Sequence, residues 1–83
     1  MKATHILTIT ARCPKNNERD EYECIVLTER LLLVETILAE AAKFEDTKIY
    51  QEDLCQKLAE TLGCVVTLIG MHSGVKSEVT CGT

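Results

Sequence analysis

Tryptophan is absent from this 83-residue chain, and two tyrosines and one phenylalanine are its only aromatics. The core must therefore be aliphatic, built from Leu, Ile, Val and Ala. Glycine is as sparse: Gly63, Gly70, Gly74 and Gly82 stand alone, so no glycine-rich loop can cradle a phosphate. Basic residues are outnumbered, nine against thirteen acids for a net charge of −4, and form no run or stripe. That balance argues against a nucleic-acid backbone as the main partner, which needs a basic patch. No stretch approaches the roughly 18 apolar residues of a membrane span, and no apolar leader follows Met1-Lys2-Ala3-Thr4-His5. The five cysteines are odd in number and lack paired spacing, so the sequence predicts free thiols in a reducing, cytoplasmic setting.

The length predicts one domain, residues 1–83. A chain this small buries only about 60% of its unfolded surface, so it gains from disulfides, a metal or association with other chains.

Thr4–Cys13 alternates, with His5, Leu7, Ile9, Ala11 and Cys13 on one face and Thr4, Ile6, Thr8, Thr10 and Arg12 on the other. This is a strand pattern. Pro14 ends it and a polar loop, 15–21, leads to a return strand over 22–28. Thr28 reads as an N-cap with Glu29 in the first turn. A helix then runs to Phe44, with Leu31, Val34, Leu38 and Ala41 on one row and Leu33, Ile37 and Phe44 on the next. A second helix spans 51–62, carrying Leu54, Leu58 and Leu62 one turn apart, and Gly63 stops it in the left-handed conformation. Two strands, 64–71 and 75–80, close the chain around a two-residue turn, Ser73-Gly74. The order is β-β-α-α-β-β. It predicts an α+β domain: a four-stranded antiparallel sheet with both helices on one face.

A turn at Ser73-Gly74 pairs His72 with Val75, Gly70 with Ser77, Leu68 with Val79 and Val66 with Cys81. That face, joined by Leu7, Ile9, Ala11, Cys24 and Val26, goes under the helices. The opposite face carries Ile6, Ile25, Leu27, Val65, Ile69 and Met71 among Thr8, Thr10, Thr67, Glu78 and Thr80. A solvated face alternates more cleanly with polar residues, so the pattern predicts that this second face meets a protein partner or another copy of the chain.

Candidate chemistry is thin. His72, beside a turn, is accessible and of the residue type that titrates near neutrality. It heads the ligand- or partner-contact set, with Met71, Ile69, Val65, Lys76 and Glu78. Ser73 lacks a neighbouring acid, and a tight turn explains Ser-Gly. His5, His72 and the cysteines lack the close ligand pairs of zinc sites; no metal, cofactor or catalytic residue is assigned. Cys13, Cys24, Cys64 and Cys81 read as small hydrophobes at strand ends or on the inward face. Cys13 and Cys24 flank one loop, which permits pairing on oxidation. Glu45-Asp46 and Glu52-Asp53 are explained by the positive end of the second helix.

Strand, acidic loop, strand, two helices and closing hairpin come in the order of the tunnelling fold, and most of the chain resembles the 6-pyruvoyl- and 6-carboxytetrahydropterin synthases. That resemblance implies small sheets joined into a barrel by oligomerisation, which accounts for the apolar second face. Those synthases hold zinc through three histidines, against two here, and use a late glutamate that Thr67-Leu68-Ile69-Gly70-Met71-His72 lacks. No site residue is carried over. The leading expectation is a small non-enzymatic interaction module that binds a larger protein, in the style of a phage- or mobile-element-encoded inhibitor (anti-CRISPR or host-takeover type). The alternative is a homo-oligomeric tunnelling-fold protein binding a pterin or purine at a subunit interface, near His72 and the helix–hairpin seam; a structural assembly subunit comes third.

Overall fold

In the computed structural model, which describes residues 1–82, each predicted element forms. β1 (Ala3–Arg12) and β2 (Arg19–Thr28) make the first hairpin, and α1 (Val34–Ala42) and α2 (Gln51–Leu62) follow. β3 (Val65–His72) and β4 (Val75–Cys81) make the second hairpin. Thr83, the last residue of the expected domain, lies outside the described residues. The four antiparallel strands run β1-β2-β3-β4 across one sheet, leaving β1 and β4 as its edges.

The closing hairpin has the register that its turn dictates: His72 opposite Val75, Gly70 opposite Ser77, Leu68 opposite Val79, Val66 opposite Cys81. Ser73 and Gly74 both take positive φ, 51° and 80°, as a type I′ turn requires. The inward face follows from that register. Ile9, Ala11, Tyr22, Cys24, Val26, Val66 and Leu68 are buried against Leu54, Cys55, Leu58 and Leu62 of α2. This core is aliphatic apart from Tyr22 and the thiols Cys24, Cys55 and Cys64.

The first helix departs from its pattern. It starts at Val34, not after Thr28, and Leu31, Leu33, Val34 and Leu38 are exposed, leaving Ile37 as its one fully buried side chain. The cause is competition from the sheet. Thr28 pairs with Ala3 at the end of the β1–β2 ladder, and its hydroxyl accepts from the amide of Arg30 and donates to the Arg30 carbonyl. Such a local bond holds the chain in a turn where a helix would otherwise start.

A backbone clamp then sets the start of α2. Arg12 N–H donates to the Thr47 carbonyl at 2.8 Å, and the Ile49 amide donates to the Arg12 carbonyl at 3.0 Å. These bonds fasten the interhelical segment to the end of β1, beside the loop carrying Cys13. At the far end, Gly63 (φ 66°) closes α2 in the left-handed region, and the Arg30 guanidinium donates to the Leu62 carbonyl.

Gly70 is required by packing. A Cβ there would lie 2.5 Å from Tyr22 Cδ1, so the tyrosine ring fills the space that a side chain at this position would take. Gly70→Ala is expected to destabilise the fold by about 2 kcal/mol through overpacking. Urea unfolding checks this; an unchanged midpoint would show that Tyr22 can move aside.

Candidate functional site

Three loops meet at one end of the sheet, and a cleft of about 470 Å³ opens between them. Its lining includes Cys13, Lys15 and Glu18 from the β1–β2 loop, Asp20 and Tyr22 from β2, Tyr50, Gln51 and Glu52 from the start of α2, and Met71 and His72 from β3. The size suits a small heterocycle. Three larger hollows, one on the outer sheet face by Arg19, Ile69 and Lys76, one by Lys2, Leu27 and Arg30 and one by Phe44, Lys48 and Lys57, are more open. This cleft combines an aromatic floor, carboxylates, a thiol and an imidazole.

Each group is placed by a local cause. The β1–β2 loop closes on itself, with Cys13 N–H donating to the Glu18 carbonyl and Asn17 N–H to the Cys13 carbonyl, both at 2.8 Å. Asn17 takes the left-handed conformation (φ 60°) that asparagine tolerates. Cys13 is thereby held at the rim. The Arg12 clamp brings Tyr50, Gln51 and Glu52 against it. Tyr22 forms the floor because Gly70 leaves room for its ring, and its hydroxyl donates to Asp20 Oδ2 at 3.3 Å.

His72 joins through three contacts. Its ring is tilted against that of Tyr22, with centroids 5.9 Å apart. Its Nε2 lies 3.2 Å from Gln51 Oε1, and its Nδ1 lies 3.9 Å from Asp20 Oδ1. The electrostatics are acidic. Burial pushes the Tyr22 phenol well above the usual tyrosine range, and the Asp20 charge and hydrogen bond, then Cys13 and Glu52, push it further. Tyr22 therefore stays a neutral donor at any physiological pH.

Of the contact residues expected from sequence, His72 lies in this cleft and Met71 at its edge. Met71 also borders the outer hollow with Ile69 and Lys76. Glu78 pairs with Ile69 on that outer face. Val65 lies at the opposite end of the sheet with Lys2, Leu27 and Arg30. The six do not form one site. Asp20 and Gln51 were not singled out from sequence, and Cys13 and Glu52 were explained there as packing and helix-end charge, because the proximity of the four depends on strand order and on the Arg12 clamp. The spacing of Cys13, Asp20 and Tyr22 around a tight hairpin loop was the available signal.

Cys13 and Cys24 cannot pair as that reading allowed. Cys24 sits opposite Leu7, six residues along the strand from Cys13, or about 20 Å, well beyond disulfide reach. All five cysteines are free thiols. No three His, Cys, Asp or Glu side chains among the described residues gather as a metal-holding group, and no helix among them is long and apolar enough to cross a membrane.

No protein-family profile matches the chain, and no curated protein matches it in sequence. Among solved structures, the archaeosine synthase QueF-Like in its apo form superimposes with a TM-score of 0.90. Identity is 20%, over 96% of this chain and 90% of that one. The fold is thus that of a small tunnelling-fold-like protein. At this identity the likeness shows the fold, and it adds nothing to the inhibitor reading.

The buried thiols make alkaline stability a check on this packing. Burial pushes Cys24 up to about 11 and Cys55 up to about 12, against 9.0 for a free thiol. Unfolded thiols ionise first, so stability is full below pH 9 and is lost as pH rises through 11 to 12. The urea midpoint is expected to fall steadily above pH 9, less steeply in Cys24→Val. Identical slopes in both proteins would contradict the burial of Cys24.

Proposed function

We propose that this chain binds a purine- or pterin-type base in the Cys13–Tyr22–Glu52 cleft, as one subunit of a homo-oligomer, and acts on that base as an enzyme of the archaeosine synthase kind. One observation carries the reading: in a fold shared with an archaeosine synthase, a single cleft combines a tyrosine floor with the Asp20 and Glu52 carboxylates and the Cys13 thiol. The chemistry is complementary. A flat heterocycle stacks against exposed aromatic surface, which in this lining is Tyr50, more than half exposed, above the buried Tyr22. Its amino and ring N–H groups donate to carboxylates, and such charge-assisted bonds are the stronger class. A cysteine is the most nucleophilic side chain available once ionised, and Cys13 is the half-exposed thiol in this lining. It is the group we assign to add to an electrophilic carbon of the bound base. The carbon–sulfur bond forms as the carbon–nitrogen π bond breaks, its electron pair goes to the nitrogen, and that nitrogen takes the proton lost from the thiol.

The oligomer is supported by surface that one chain leaves uncovered. β1 is a ten-residue edge strand of the kind that pairs with another chain. Ile6, Leu27 and Met71 are exposed on the outer sheet face, at 65%, 44% and 62%. Edge pairing between copies would extend the sheet and place the cleft rim at a subunit boundary, and closure of the joined sheets into a barrel would cover that face. Sedimentation is expected to show a multimer that Ile6→Arg dissociates; a monomer at every concentration would contradict this part.

Alkylation tests the cleft directly. Cys13 is expected to react with iodoacetamide well before the buried Cys24, Cys55 and Cys64, and saturating guanine or pterin should slow its modification severalfold. Cys13→Ser should still bind the base. If neither base protects Cys13 or shifts the melting temperature, the proposal fails.

A further inference from the structure

Gln51 is almost wholly buried at the first turn of α2, with 4% of its surface exposed. Its amide nitrogen donates to two backbone carbonyls, Leu68 at 2.9 Å and Ser77 at 3.1 Å. That decides the orientation of the amide: a flipped Gln51 would set its oxygen against two carbonyl oxygens. Oε1 therefore points at His72 Nε2, 3.2 Å away, and an amide oxygen can only accept. The Nε2 atom must carry a hydrogen. In a neutral imidazole the other nitrogen is then a bare acceptor. That nitrogen, Nδ1, lies 3.9 Å from Asp20 Oδ1. The second carboxylate oxygen, Oδ2, already receives the Tyr22 hydroxyl. Two acceptors thus face each other across a gap with no hydrogen between them, in the lining of the cleft.

We infer that Gln51 is a positioning residue that holds His72 as the Nε2–H tautomer, so that His72 Nδ1 and Asp20 Oδ1 form a paired acceptor that selects an N–H donor on the ligand. The donor is an amino group or a protonated ring nitrogen; a carbonyl oxygen at that spot would meet two lone pairs. Without Gln51 the choice reverses: Asp20 Oδ1 lies 3.9 Å from Nδ1, a small turn of the ring closes that gap to a hydrogen bond, and the proton moves to Nδ1. The pair would satisfy itself and no longer call for a ligand donor. This inference rests on the base-binding reading for its ligand, but the tautomer does not.

The tautomer is read from the long-range proton–nitrogen spectrum of the side-chain imidazoles at pH 8, where imidazoles are mostly neutral. His5 is told apart by a His72→Asn control. Wild-type protein is expected to show His72 protonated at Nε2 in the absence of any ligand, and Gln51→Leu to show protonation at Nδ1. A wild-type ring protonated at Nδ1 overturns the inference whether or not the variant folds. An unchanged tautomer in folded Gln51→Leu overturns the role of Gln51. The ligand arm compares pterin with lumazine, which carries oxygen in place of the pterin amino group. Pterin is expected to bind about tenfold tighter in wild type, the difference made by one hydrogen bond to a charged group, and the preference should vanish in Asp20→Asn. A preference that survives in Asp20→Asn and is lost only in Glu52→Gln overturns the paired acceptor. If neither compound binds while the Nε2 tautomer holds, the base-binding reading falls and the Gln51 assignment stands.

Discussion

A buried amide that cannot find partners costs about 1–3 kcal/mol, and the arrangement of this molecule turns on how Gln51 avoids that cost. Its nitrogen reaches the carbonyls of Leu68 and Ser77, on two strands of the closing hairpin, and its oxygen meets His72. No buried side-chain polar atom among the described residues is left without a partner. The consequence is positional. The first turn of α2 can sit over β3 and β4 in only one way, and that placement turns Tyr50 and Glu52 toward the β1–β2 loop. From the other side, the Arg12 bonds to Thr47 and Ile49 draw the same segment to the end of β1. The cleft is what remains between these two attachments.

The floor follows the same logic. Tyr22 is one of the largest fully buried side chains, in a chain almost without aromatics. Its ring occupies the space that Gly70 leaves on β3, and its hydroxyl holds Asp20. A single glycine on one strand and a single tyrosine on its neighbour thus orient a carboxylate into the cleft. One of the chain's three aromatics and an isolated glycine pack together beneath the cleft and fix the groups that line it.

Much of this fold was legible in the sequence because its signals are local. Ser73-Gly74 dictates the turn, the turn dictates the register, and the register separates Val66 and Leu68 from Val65 and Ile69. Gly63 and the Leu54–Leu58–Leu62 row delimit α2 for equally local reasons. The apolar row expected of the first helix misled, since Leu31, Val34 and Leu38 repeat at helical spacing yet lie exposed; a repeat shows that a face exists, not what covers it. The candidate site was far less legible. His72 could be picked out beside its turn, but Cys13, Asp20, Gln51 and Glu52 come from three segments joined only by tertiary contacts. Charge and composition contain no trace of that meeting. Sequence reading gave the outer sheet face more weight than the cleft because apolar alternation is visible in one dimension and a convergence of loops is not.

The central claim is that the loop-lined cleft, not the outer sheet face, receives a heterocyclic base. Backbone amide shifts recorded during a pterin titration test it most directly, since every non-proline residue reports for itself. The account predicts that perturbations gather at Cys13–Tyr22, Tyr50–Glu52 and Met71–Ser73, with Ile6, Leu27 and Val65 unmoved. Shifts centred on Ile6, Leu27 and Val65, or no saturable shifts at all, would contradict it.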